Sequence, residues 1–523
     1  MLNCRFRWVY CQFTLLRKCI STKDIQRALN KLPKSLEETY TRILEEIDDD
    51  NWKYVHIIFQ CVAAASRPLR VDELSQFLAF DFEAGSTPTF HADELLGDPV
   101  DTVLSMCSSL IAAVKPGSYQ RFKVVQFAHF TVKEYLTSTW LAETKDTISR
   151  FHISMTPAHT TVAQGCLGLL LHIDETVTRS SLENFPLAKY AAQHWMDHAR
   201  IEDISSKVED GIKRLFDPNK SHFSVSIWIH DPGYRYRFSL RYRPQSRSER
   251  PGKPRVTNLH YATFHGLHDV VQFLIVEYSQ DVNARGLFDE ETPLHVASYR
   301  GHANIAQLLL GHGADKDARD HDSSGRTPLH LSSYEGHVEV VRILLEQGAN
   351  ANAVDRLGKS PLQYALIEGH VEAARALLQH GADMKHKDRS NCTILHVAIG
   401  EEGTRFLLKY GADANALTNN GRTPLHSLSS MGRLEAAQVL LEHGVDANAQ
   451  DADNATPLHL ASGFNPIEQS SDHFGVVRLL LQYGADIHAR DNKGRTPFMV
   501  ATEDKIRPIM QLLLENGAED HRK

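Results

Sequence analysis

Thr327-Pro328-Leu329-His330 is the stretch on which the reading of this chain turns. Its last residue lies eighteen positions before Gly348-Ala349-Asn350. The same phrase stands at Thr292-Pro293-Leu294-His295, Thr423-Pro424-Leu425-His426 and Thr456-Pro457-Leu458-His459, with looser copies keyed on Thr257, Ser360, Thr393 and Thr496. The eight keys are spaced 35, 35, 33, 33, 30, 33 and 40 residues apart. A period near 33 residues marks stacked units, none of which can bury its apolar face alone.

Each part of the phrase has a mechanical task. Proline fits the first helical turn, where its missing N–H costs nothing. Thr caps that turn and can hydrogen-bond the histidine. Leu294, Leu329 and Leu425 belong to the shared core, each contributing roughly 1.5–3 kcal/mol on burial. Gly301, Gly336, Gly369 and Gly432 are placed to end the first helix, and Gly313, Gly348, Gly381, Gly411, Gly444 and Gly484 to cap the second. The wording resembles ankyrin repeats, which bind other proteins through hairpin tips and the exposed ends of the first helices. The helix-end positions, four and five after the histidine slot, hold Phe264/His265, Tyr299/Arg300, Tyr334/Glu335, Ile367/Glu368 and Ser430/Met431. An aligned aromatic and Arg-bearing row is what a binding hot spot requires, although unconstrained positions would vary in the same way. Asn258 replaces Pro in the first repeat and Phe498-Met499 replaces Leu-His in the last, as terminal caps demand. The fifth repeat is three residues short and has Ile394 for Pro. The seventh inserts about seven residues around Gly463 to Ile467, a candidate contact loop.

Composition bounds the rest. The 523 residues are too many for one core, and 42% hydrophobic with 23% charged is ordinary for a globular protein. Seven cysteines without a Cys-x-x-Cys fit a reducing compartment, so the cytoplasm is expected, with the nucleus also compatible. No apolar run reaches membrane-spanning length. Residues 255–523 hold 25 Lys+Arg against 35 Asp+Glu, leaving 32 against 30 for residues 1–254. The acidic repeat half argues against general nucleic-acid binding. The exception is the tract 233–255, where seven arginines and Lys253 interleave with Tyr234, Tyr236, Phe238 and Tyr242. Single-stranded nucleic acid would favour that mix, and a solvated linker would show it too.

Upstream, Ser35-Leu36-Glu37-Glu38 opens a helix over about 36–47. Helices then follow near 52–65, 71–78 and 98–109, with strands at 110–114 and 122–127, in winged-helix order. The third helix carries no Arg or Lys, which argues against DNA reading. Further helices are expected at about 157–171, 186–198 and 204–216. His159, His194 and His198 read as scattered surface histidines, and no metal site is expected.

FRWVYCQ at 6–12, RALNKLPKSLEETYTRIL at 27–44 and AHFTVKEYL at 128–136 resemble fungal NACHT–ankyrin proteins, signal-transducing NTPases with a winged-helix segment and a repeat sensor. Such a core carries G-x-x-x-x-G-K-[ST]; here Gly358-Lys359-Ser360 lacks the upstream glycine, position 353 being Ala. The resemblance therefore implies a chain beginning after the Walker motifs, with no cofactor and no ATP chemistry of its own. It also implies a regulatory role for His129, conditional on a nucleotide core supplied from outside.

The resulting expectation is a mainly α protein, an ankyrin-repeat solenoid preceded by a winged-helix-like module and a helical spacer. Its parts are a NACHT-like C-terminal remnant (1–47), the winged helix (48–145), the spacer (146–232), a basic linker (233–254) and the repeats (255–523). Its expected function is non-enzymatic binding of another protein, with no membrane. The alternatives are the regulatory part of a NACHT-type NTPase, or nucleic-acid binding through 233–255.

Overall fold

The computed structural model describes residues 35–83, 85, 87–91, 93, 99–107, 110–115, 122–201, 204–230, 250–251, 257–286, 290–320, 324–398, 400–463, 472–504 and 506–519. The chain divides into two compact units, Met1–Pro254 and Arg255–Lys523. The protein is mainly α, and no described helix is long and apolar enough to cross a membrane.

The first unit runs α1 (Leu36–Glu45), α2 (Trp52–Ala64), α3 (Val71–Phe77), β1 (Phe80–Asp81), β2 (Thr89–Phe90), α4 (Pro99–Cys107), β3 (Ile111–Val114), β4 (Val124–Phe127), α5 (Phe130–Leu136) and α6 (Thr139–Glu143). Then come α7 (Met155–His172), α8 (Ala188–Ala199), α9 (Ser205–Leu215) and α10 (His222–Ile229). Ser35 caps α1 by accepting from Glu38 N at 3.1 Å. β3 and β4 pair antiparallel, Ile111 opposite Phe127 and Val114 opposite Val124. Leu69 lies alongside, its carbonyl accepting from Val125 N at 2.8 Å. Together these make the winged-helix domain. The short β1–β2 hairpin and α10 were not expected from sequence. Two-residue strands show no alternation, and α10 buries Phe223, Val225, Ile227 and Trp228, so it has no polar face to betray a helical period.

The helices after the wing pack directly against it. α7 touches α2, α8 and α9. A Cβ at Gly165 on α7 would lie 2.5 Å from the Phe77 ring, so only glycine admits α3 at that distance. Polar bonds reinforce the contact: Gln76 donates to Asn184 O (3.0 Å) and accepts from Leu187 N (2.8 Å). Glu73, 2% exposed, takes both Arg67 amino groups at 2.7 and 2.8 Å.

In the second unit the first helices are Asn258–Phe264, Pro293–Arg300, Pro328–Tyr334, Pro361–Ile367, Pro424–Ser430, Pro457–Ser462 and Pro497–Glu503. Each returns through a second helix, from His268–Val276 in the first repeat to Arg507–Glu515 in the last. The leucines of the phrase form the continuous core, with Leu294, Leu329, Leu425 and Leu458 fully buried. The fifth repeat departs from expectation. Its first helix shrinks to a 3₁₀ turn at Ile394–His396, because the three missing residues leave too little chain before the helix Gly400–Lys409.

Candidate protein-binding surface

The repeat surface is held by two sets of histidines. In the phrase, Thr327 N donates to His330 Nδ1 at 3.1 Å, and His330 Nε2 meets Lys359 O of the next repeat at 3.1 Å. The first bond places the ring proton on Nε2, so each neutral imidazole bridges a helix start to the following hairpin. His260, His295, His396, His426 and His459 reach Glu291, Arg326, Arg422, Ala455 and Arg495 carbonyls in the same way, at 2.9–3.2 Å. Gln363 reproduces the arrangement with an amide: its oxygen accepts from Ser360 N (3.0 Å) and its nitrogen donates to Cys392 O (3.3 Å). Burial pushes His260, His295 and His330 down to about 4. These histidines are architecture, as the sequence suggested.

The second set escaped the sequence reading, though Gly301-His302, Gly336-His337 and Gly369-His370 repeat the signal in plain view. His302 Nε2 meets Phe264 O at 3.3 Å and His337 Nε2 meets Tyr299 O at 3.1 Å. His302 and His337 thus tie their repeats to the ends of the preceding first helices.

Hairpins line the other end of the repeats. Asp355 Oδ1 accepts from Leu357 N (2.9 Å) and Lys359 N (2.7 Å), while Asp388, Asp451 and Asp491 clamp their own turns likewise. Successive tips are joined by Arg356 N to Ser324 O (2.7 Å), Arg389 N to Leu357 O (3.3 Å), Asn419 N to Ser390 O (3.1 Å), Ala452 N to Asn420 O (2.9 Å) and Asn492 N to Asp453 O (2.8 Å). The tips therefore form one connected edge.

The expected contact row falls at a recurring place, the last helical residues and cap of each first helix. Phe264, Tyr334, Ile367 and Ser430 are final helical residues, followed by His265, Glu335, Glu368 and Met431 as caps. Tyr299 and Arg300 end theirs before Gly301. Arg300, Glu368 and Ser430 are exposed, the others half-buried. Neighbours along the row touch: the Arg300 guanidinium lies 4.6 Å from the Phe264 ring centroid, and Tyr334 meets Tyr364 edge-on at 5.9 Å. Tyr364 is an addition to the row. Its signal is an aromatic where Val296 and Leu331 occupy the same slot. Its hydroxyl donates to Asp355 at 2.8 Å, and burial, then Asp355, push its pKa up. The row has a gap at the fifth repeat, where the first helix is only a turn.

In the first unit His129 caps α5. Its Nδ1 accepts from Thr131 N at 3.4 Å and meets Thr131 Oγ1 at 2.8 Å. Thr131 Oγ1 also bonds Tyr40 OH at 2.7 Å, tying α1 to α5. The surface placement expected for His198 is corrected: it is 1% exposed, enclosed by His159 of α7, Tyr190 of its own helix and Ser66. Its Nδ1 meets His159 Nδ1 at 2.8 Å and its Nε2 meets Tyr190 OH at 2.9 Å. Burial lowers His198 to about 4. Half-buried His194 bonds Asp197 at 2.8 Å. Among the described residues no group of three His, Cys, Asp or Glu side chains could hold a metal. The 6–12 phrase, the insert at 464–467 and the basic tract 233–255, save Arg250 and Pro251, lie outside the described residues.

A stack of helix pairs with clamped hairpins and variable helix ends is a repeat-built binding solenoid. Profiles described as ankyrin repeats match 259–355, 318–388, 347–418, 395–491 and 450–523, without a break from 259 to the last residue. The chain belongs to the ankyrin-repeat family. Residues 50–153 match the winged helix domain described for GPI inositol-deacylase. Among curated proteins the chain is similar to the azaphilone pigments biosynthesis cluster protein L of Monascus ruber, 32% identical over 261 residues. That alignment covers 49% of this chain and 53% of the relative, so the chain spans about half the length of the relative it matches.

Proposed function

We propose that this chain is a non-enzymatic scaffold or sensor that holds another protein against the first-helix ends of its repeats. The observation that carries the reading is the row itself. Phe264, Tyr299 and Tyr334 occupy one structural slot in three consecutive repeats, with Arg300 and Glu335 beside them. Rigid aromatics and arginine at aligned positions supply large contact area at small entropic cost. The buried repeat histidines are all engaged with backbone, which leaves them no acid–base work. The free thiols Cys61, Cys107, Cys166 and Cys392 support a cytoplasmic or nuclear setting. The Monascus relative is named for a pigment biosynthesis cluster, a setting in which a scaffold has obvious work.

Replacing Tyr299 and Tyr334 together by Ala tests the proposal. Capture of partner protein by the immobilised full chain should fall about tenfold or more. Losing the Tyr334–Tyr364 contact should lower stability by about 1 kcal/mol, so the melting temperature should drop only a few degrees, about 2–4 °C. Unchanged capture would overturn the proposal.

The regulatory NACHT reading retains support from the winged-helix match and from the position of His129 at the start of α5. It is tested by titrating labelled ADP onto the full chain. The proposal expects no saturable binding by this chain alone.

A further inference from the structure

The hairpin edge carries a patch that the contact row does not use. Arg356, Leu357, Lys385, Lys387 and Arg389 stand exposed on two successive hairpins, with Leu357 58% exposed between the arginines. The two arginines occupy the same slot one repeat apart. The Arg356 side chain lies 3.0 Å from where a Gly325 Cβ would be, and that of Arg389 3.2 Å from the Gly358 position. Each is therefore braced against the glycine of the preceding hairpin, with its backbone N–H already bonded there. His386 Nε2 fixes the same hairpin by reaching Gly358 O at 2.6 Å.

Two of the acids of these hairpins, Asp355 and Asp388, are engaged at their own turns. Asp355 is consumed by Leu357 N, Lys359 N and Tyr364 OH, and Asp388 by Ser390 N and Cys392 N. Asp383 is exposed beside them and accepts from Lys385 N at 2.8 Å. Among the described residues Arg356, Lys385, Lys387 and Arg389 form no ion pair. Four cations and one leucine thus face solvent in a repeat half that is otherwise acidic.

We propose that these two hairpins dock an extended acidic protein segment, its carboxylates on the arginines and lysines and an apolar side chain on Leu357. The inference deepens the scaffold reading and rests on it. Charge complementarity selects the occupant. A longer polyanion such as nucleic acid would run on to the neutral Asn419 and Asn420 tips and then the exposed Asp453. A short peptide ends before that repulsion begins. Arginine favours carboxylate through its planar fork of donors.

The test uses the full chain and a short fluorescein-labelled peptide of alternating Asp and Leu, with its Asn/Leu counterpart and a labelled single-stranded DNA as controls. The Asp peptide should bind saturably, weaken as salt rises, and bind more tightly than either control. The Arg356→Glu/Arg389→Glu variant should lose about tenfold or more in affinity, 1.4 kcal/mol per tenfold. Arg356→Ala/Arg389→Ala, which removes charge without reversing it, should lose less while keeping the parent melting temperature. Equal binding by the variants, equal binding of the Asn peptide, or tighter binding of DNA would each overturn the inference. Tyr299→Ala/Tyr334→Ala should leave peptide binding intact. A chain that captures partners through those tyrosines yet ignores the Asp peptide would refute the hairpin site and leave the scaffold reading standing.

Discussion

At His330 one neutral ring does two jobs. Nδ1 accepts from Thr327 N and Nε2 donates to Lys359 O across the repeat boundary. Substituting Ala leaves Thr327 N buried without an acceptor, at a cost of about 1–3 kcal/mol, and leaves Lys359 O with Asp355 N as its donor. Gln363 shows that an amide can serve in the same slot. His330→Gln should therefore keep most of the stability that His330→Ala loses, as measured by urea unfolding at neutral pH. If the two variants lost equally, the bridge would not be what the histidine supplies.

The helix ends make a second comparison, between two glycines with the same backbone. Gly336 and Gly369 both adopt left-handed φ, 73° and 79°. A side chain at either costs about 1 kcal/mol in backbone strain alone. The surroundings differ. A Cβ at Gly336 would lie 2.5 Å from the His370 ring, whereas Gly369 has nothing within 4 Å. The fifth repeat, short by three residues, brings no histidine to that place. Gly336→Ala should therefore destabilise by about 1–3 kcal/mol more than Gly369→Ala, the range for overpacking. Chemical denaturation of the two variants decides it, and equal losses would mean the His370 contact yields freely.

Over the whole molecule the buried histidines make stability depend on pH. His260, His295 and His330 hold about 4 in the folded chain against 6.5 when unfolded. Between those values the unfolded chain binds more protons, so stability rises with pH there and falls as pH drops from about 6.5 towards 4. Each histidine contributes up to about 3 kcal/mol of that loss, at 1.36 kcal/mol per pH unit. His396, His426 and His459 are lowered in the same direction, also by burial. The urea midpoint should be steady above pH 7 and decline steeply below 6, and His295→Gln/His330→Gln should flatten the decline. A midpoint unchanged between pH 7 and 5 would contradict it.

Much of this was legible in the order of residues. The period near 33 made the repeats evident, because every unit must present the same apolar residues to its neighbours. The helix-end row followed by counting from each histidine, since a stacked array carries sequence register directly into space. The places where counting fails belong to tertiary structure. The fifth first helix collapsed because the two flanking repeats set the span it must bridge. His198 went inside because α7 brings His159 against it from 39 residues away in sequence, and nothing in its own neighbourhood announces that. The hairpin cations were visible as residues, but only the engagement of Asp355 and Asp388 at their own turns keeps those two acids from pairing with them. Local wording determined the fold of each repeat; which side chains remained free for a partner was decided by what the neighbouring repeats had already bound.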